Sequence, residues 1–102
     1  MSRTALVTGG NRGIGLEICR QLGHQGYKVL LGARDVSLGE AAAAELARDG
    51  MNVTAVEIDV SKAASVKRCA AGLKKQGIEV DVLVNNAGVI AEGELLAGPD
   101  PM

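Results

Sequence analysis

Aromatic residues are nearly missing from this sequence, which has no Phe, no Trp and a single Tyr, Tyr27. Its core must therefore come from Val, Ile, Leu, Ala and Met. Such a core is thin, because a domain of this length buries only about 65% of its unfolded surface. Cysteine is scarce as well. Cys19 and Cys69 lack the close spacing of a zinc pair, and two thiols make no disulfide framework. They read as small apolar helix residues in a reducing compartment. An excess of charge is also lacking: 11 Lys and Arg against 12 Asp and Glu leave a formal net charge of −1. That near-balance argues against wholesale nucleic-acid or polyanion binding. No apolar run reaches the roughly 18 residues that span a bilayer. Met1-Ser2-Arg3 leads into a strand-like run that ends in Thr8-Gly9-Gly10, not in a signal-peptide cleavage site. One small, soluble, cytoplasmic domain is expected, without nucleic-acid or membrane partners.

Glycine, by contrast, is abundant at 14 residues, and a hydrophobic content of 47% is too high for a disordered chain. The apolar pattern alternates between short runs and helical periods. Thr4 to Thr8 reads as a strand. From Gly13 to His24, Ile14, Ile18 and Leu22 recur at i, i+4 and i+8 on one helical face, and Gly26 is a stop signal. Tyr27 to Ala33 reads as a second strand. Ser37 and Glu40 have capping-box spacing before the helical run Ala41 to Ala47, which Asp49-Gly50 ends. Met51 to Ile58 is β-branched and alternating, a third strand. Ser61 can cap a helix in which Val66, Cys69, Ala70 and Leu73 share a face, with Gly77 as its stop. Val80 to Val84 is a fourth strand, entering Asn85-Asn86-Ala87-Gly88.

This βαβαβαβ order implies a parallel sheet covered by helices. Right-handed crossovers place the first two helices on one face and the third on the other. The expected fold is α/β and Rossmann-like, with strand order 3-2-1-4. Cys19 and Cys69 then lie on opposite sides of the sheet, which forbids a disulfide.

Thr8-Gly9-Gly10-Asn11-Arg12-Gly13-Ile14-Gly15 follows a strand and opens a helix, the context a phosphate cradle needs. Gly9 suits a sharp turn at the strand end. Gly13 lets backbone approach a pyrophosphate, and Gly15 lets the helix pack tightly on the sheet. The helix N-terminus offers free N–H groups and about half a positive charge. No Gly-Lys-Ser/Thr follows, which excludes a P-loop. An NAD-binding second strand usually ends in an acid that bonds the ribose 2′-hydroxyl. Here Ala33 holds that position and Arg34 follows, a guanidinium suited to a 2′-phosphate. Arg12 can add a second positive charge. Asp35 is the ribose acid if the strand ends two residues later. Asp59, followed by Val60, either accepts from an adenine amino group or is an N-terminal acid of the third helix. The Asn85 and Asn86 amides can tie strand ends together, and Gly88 lets a flat ring lie close to backbone.

In their order and separation, Thr8-Gly9-x-x-x-Gly13-x-Gly15, Asp59 and Asn85-Asn86-Ala87-Gly88 resemble the short-chain dehydrogenase/reductase family over about residues 3 to 90. The glycine loop together with Ala33-Arg34-Asp35 is most similar to its NADP-dependent carbonyl reductase branch. By that resemblance Asn11, Arg12 and Ile14 line the phosphates, Arg34 holds the 2′-phosphate, Asp59 and Val60 touch adenine, and Asn86 touches the nicotinamide-side ribose. With Gly9, Gly13, Gly15, Ala87 and Gly88 these residues form the expected NADP(H) site. The family's catalytic Tyr-x-x-x-Lys pair and its preceding Ser are not found here. Position 31, four after Tyr27, is Leu31, and His24 is a lone residue at a helix end. No catalytic residue and no metal ligand is assigned.

The resemblance thus implies the N-terminal cofactor-binding part of an NADP(H)-dependent oxidoreductase that reduces carbonyls or oxidises alcohols, a single half-domain inactive alone. A stand-alone NADP-binding module, or a subunit completed by a partner, is the alternative. Residues 89–102 are expected to be a poorly ordered tail. The fourth strand is expected to be an apolar edge open to self-association.

Overall fold

A computed structural model describes residues 3–87. The chain runs β1 (Thr4–Val7), α1 (Gly13–His24), β2 (Lys28–Ala33), α2 (Val36–Ala47), β3 (Val53–Glu57), α3 (Ala63–Lys75) and β4 (Val82–Val84). All pairings are parallel, as the alternating pattern implies, and the order is β3-β2-β1-β4, as expected. The registers pair Leu6 with Leu30 and with Leu83, and Leu31 with Ala55.

Alternation along the strands divides the core in two. Leu6 and Leu30 point to α3 and meet Val66, Cys69 and Leu73, with Ile58 and Val80 beside them. Val7, Val29 and Leu31 point the other way and meet Cys19 of α1 and Ala42, Ala43 and Leu46 of α2. Both central strands are covered on both sides, which explains their continuous apolar runs. Each buried leucine contributes about 1.5–3 kcal/mol, so a core without large rings is held by many small terms. Both cysteines are free, on opposite sides of the sheet.

Several expectations need correction. Ile14 does not join the packed face of α1. It is 74% exposed, because the first turn of the helix overhangs the end of the sheet, whereas Ile18 and Leu22 pack. Tyr27 stands just before β2 and is half-buried against the core. Ser37 is not the cap of α2: the cap is Asp35, whose carboxylate accepts from the N–H groups of Ser37 and Leu38. Ser61 does not cap α3, whose N-cap is Lys62 without a side-chain bond. The outer strands are shorter than expected. Met51 leaves β3 to pack under Gly23 of α1. Asp81 precedes β4 and grips the start of β1: its carboxylate accepts from Thr4 N–H, and its own N–H donates to the Thr4 carbonyl, each at 2.8 Å. Gly88 and the expected tail, residues 89–102, lie outside the described residues.

Candidate functional site

The C-terminal ends of the four strands open onto one cleft of about 760 Å³. In the order β3-β2-β1-β4 the direction in which successive strands are added reverses between β1 and β4, and open α/β sheets bind ligands at such a point. The turn after β1 supplies Gly9, Asn11, Arg12 and Gly13. Residues beyond β2 supply Arg34, Asp35 and Leu38; those beyond β3 supply Ile58 to Ser61; those beyond β4 supply Asn86 and Ala87.

Thr8 anchors the turn. Its buried hydroxyl accepts from the N–H groups of Asn86 and Ala87, both at 3.0 Å, and donates to Oδ1 of Asn85. The Asn86 amide donates to the Gly9 carbonyl at 3.2 Å, so the loop after β4 holds the loop after β1. Gly15 sits directly beneath. A Cβ there would strike the Gly9 carbonyl oxygen and stand 2.7 Å from Nδ2 of Asn86. Gly15 therefore serves the approach of α1 to the loop, and it does not itself line the cleft. Gly13 differs in kind. Its φ is +60°, and nothing lies within 4 Å of where a Cβ would be. Backbone is exposed at this point to whatever enters the cleft.

The start of α1 is chemically unfinished. Its N-cap is Arg12, no side chain caps it, and its first turn carries no acid. The first N–H groups of a helix lack intrahelical partners, so this end presents donors and a positive dipole pole to the cleft. Arg12 and Arg34 add two guanidinium groups on its rim. Donors and positive charge together suit an anionic group. Nothing comparable marks a metal centre: no cluster of three or more His, Cys, Asp or Glu occurs among the described residues.

Asp35 lines the cleft, but its Oδ1 is engaged at the start of α2, 2.9 Å from the Ser37 nitrogen, and β2 ends at Ala33 as expected. Asp59 does not cap α3. Its Oδ1 accepts from the hydroxyl and the N–H of Ser61, at 2.6 and 3.0 Å. The Ser61 hydroxyl is the main cause holding this carboxyl below its usual range. The Ser61 N–H acts next in the same direction; desolvation opposes both with less weight, and Lys62 and Arg34 add smaller contributions in favour of the charge. The cleft unites Gly9, Asn11, Arg12, Gly13, Arg34, Asp59, Val60, Asn86 and Ala87 of the expected set, and leaves Ile14 and Gly15 outside its lining.

Leu38, Ile58 and Ser61 were not expected there, and Asp35 was expected only as a ribose acid in case β2 ran two residues further. Leu38 gave no readable signal: with Ala42 and Leu46 it falls at i, i+4 and i+8, the spacing of a packed face, yet it stands in the first turn of α2 and is 56% exposed.

Fold and cleft together define an α/β protein with a doubly wound parallel sheet and one cleft at the C-terminal ends of its strands. The family model described as short chain dehydrogenase matches residues 3–100, and the chain belongs to that family. It is similar to short-chain dehydrogenase/reductase 1 of Saponaria officinalis, 47% identical over 90 residues, covering 85% of this chain and 30% of the relative. It is 41% identical over 102 residues to carbonyl reductase (NADPH) 3 of Homo sapiens, covering 99% of this chain and 35% of the relative. A metagenomic short-chain oxidoreductase solved in complex with NADP superposes with a TM-score of 0.76 at 42% identity, covering 87% of this chain and 41% of that one. The chain spans about a third of the length of the curated relatives it matches. No helix among the described residues is long and apolar enough to cross a membrane.

Proposed function

We propose that this chain is the cofactor-binding part of an NADP(H)-dependent oxidoreductase acting on carbonyls or alcohols, and that its cleft holds the adenine and phosphate half of the dinucleotide. The observation that carries this is the start of α1: an uncapped helix N-terminus, reached through a glycine at φ +60° with open space before it, between Arg12 and Arg34. The kinship with a carbonyl reductase named for NADPH, and with an oxidoreductase solved with NADP, supports the cofactor.

In this reading the N–H groups from Arg12 to Gly15 donate to the diphosphate. Arg34 grips the 2′-phosphate, supported by Arg12, since a guanidinium meets phosphate oxygens in a bidentate fork. Val60 offers apolar contact to the adenine. When bound, the nicotinamide supplies hydride transfer. No residue in 1–102 is assigned a part in that chemistry, because the single tyrosine, Tyr27, is half-buried against the core and has no lysine four residues on.

Titration of the chain with NADPH and NADH tests the proposal. Arg34→Ala should weaken NADPH by about 10- to 100-fold and leave NADH within about threefold. Equal loss for both cofactors overturns the 2′-phosphate role. Failure of the unaltered chain to bind either one overturns the proposal as a whole.

A further inference from the structure

Two serines outside the residues assigned to the cofactor converge on Asp59. Ser65, on α3 and only 5% exposed, accepts the Asp59 N–H at 2.8 Å and fixes the backbone at the end of β3. Ser61 fixes the side chain: its hydroxyl and its N–H both donate to the same carboxylate oxygen, Oδ1, at 2.6 and 3.0 Å. Oδ2 receives no hydrogen bond from the described residues.

Helix capping does not account for this arrangement. The start of α3 has no side-chain cap, yet the Ser61 hydroxyl is spent on Asp59. Nor is Asp59 engaged as an acid of that helix. Its carboxylate is held on one oxygen at the cleft wall beside Val60. A carboxylate is an acceptor only, so a base resting there is read by what it donates. A 6-amino purine has an N–H donor at that position, whereas a 6-oxo purine presents a carbonyl that the charge repels.

We infer that Ser61 is a positioning residue that locks the Asp59 carboxylate with one oxygen free, giving the cleft its preference for a 6-amino over a 6-oxo purine. The inference rests on the dinucleotide reading above. Ser61 orients Asp59 without touching the base, and Ser65 holds the backbone from which Asp59 projects. Loss of the Ser61 hydroxyl frees the carboxylate to rotate and removes the main cause of its lowered pKa, while the loop and α3 keep their backbone bonds.

The test is calorimetric titration of the full chain with NADP⁺ and with its deaminated analogue, nicotinamide hypoxanthine dinucleotide phosphate. The unaltered chain should prefer the amino form by about tenfold, the low end for a hydrogen bond to a charged group. Asp59→Asn should abolish the preference. Ser61→Ala should reduce it to about two- to threefold by weakening the amino form alone, and Ser61→Thr should restore it. Equal weakening of both ligands by Ser61→Ala would show a merely structural serine and overturn the inference. An unchanged preference in Ser61→Ala, with Asp59→Asn losing it, overturns it as well, and both results leave the dinucleotide reading standing. Absence of binding by either ligand to the unaltered chain overturns that reading itself.

Discussion

After β1 and after β2 the chain turns from strand into helix within a few residues, yet the two helix starts are finished with opposite chemistry. At α2, Asp35 supplies the missing acceptor from within, bonding the Ser37 and Leu38 N–H groups. At α1 the corresponding residue is Arg12, extended at φ −162° and ψ 166°, with a side chain that has no acceptor to offer. A cap is worth about 0.5–2 kcal/mol, so α1 forgoes stability that α2 keeps. The difference separates a helix start capped by its own chain from one that has no side-chain cap and opens onto the cleft, where the proposed reading puts an anion.

The largest effect should follow from closing the gap on which the β1 turn depends. Gly15→Val places branched carbons where the Gly9 carbonyl and the Asn86 amide already stand. Backbone on both sides must move, at a cost of about 3 kcal/mol or more. The melting temperature should fall by about 12 °C or more, and NADPH binding should be lost. A variant with unchanged melting temperature and affinity would show that the close approach of α1 to the loop is not needed.

A smaller and sharper effect should come from exchanging the two finishes. Arg12→Asp gives α1 the cap that α2 has, in backbone already suited to it. The chain should gain about 1 kcal/mol of stability and lose NADPH affinity by about 100-fold, through lost attraction and added repulsion. Asp35→Ala should do the reverse, losing about 1 kcal/mol while NADPH binding stays within a few-fold. Denaturant unfolding and titration on both variants check the pair. Equal changes in stability and affinity in both would erase the distinction between the two helix starts.

Much of this contrast is legible in the order of residues, and the exceptions have physical causes. The bounds of α1 follow from Gly13 and the stop near Gly26, which sits at φ +92°. Once the strands are taken in the order 3-2-1-4, crossover handedness gives the face that each helix covers. Which residue caps α2 does not follow, because Asp35 and Ser37 both precede the helical run and only the place where β2 leaves the sheet decides between them. The exposure of Ile14 is hidden for a related reason: periodicity gives a face, but the sheet ends before the first turn of the helix. Ser61 fits a cap by position, yet Asp59 two residues earlier takes its hydroxyl. The bond from Asn86 to the Gly9 carbonyl joins residues 77 apart. No local rule reaches that far.

Cys19 gives the least disruptive probe of the same contrast, since its sulfur lies 3.0 Å from where a Cβ on Gly10 would stand, beneath the turn after β1. Burial pushes its thiol up to about 12, and burial also raises that of Cys69 on the far side of the sheet. Both thiols stay protonated in the folded chain at pH 8 and should alkylate far more slowly than in denaturant. The sign of the pH dependence follows. Above about pH 9 the unfolded thiols ionise and the folded ones do not, so the folded state binds more protons and stability declines as pH rises towards 12. If the β1 turn is the less complete of the two junctions, labelling of Cys19 should slow when NADPH is added, whereas that of Cys69 should not respond. Labelling of Cys19 that ignores NADPH would mean that the turn is as settled empty as filled, and the contrast with α2 would then be one of charge alone.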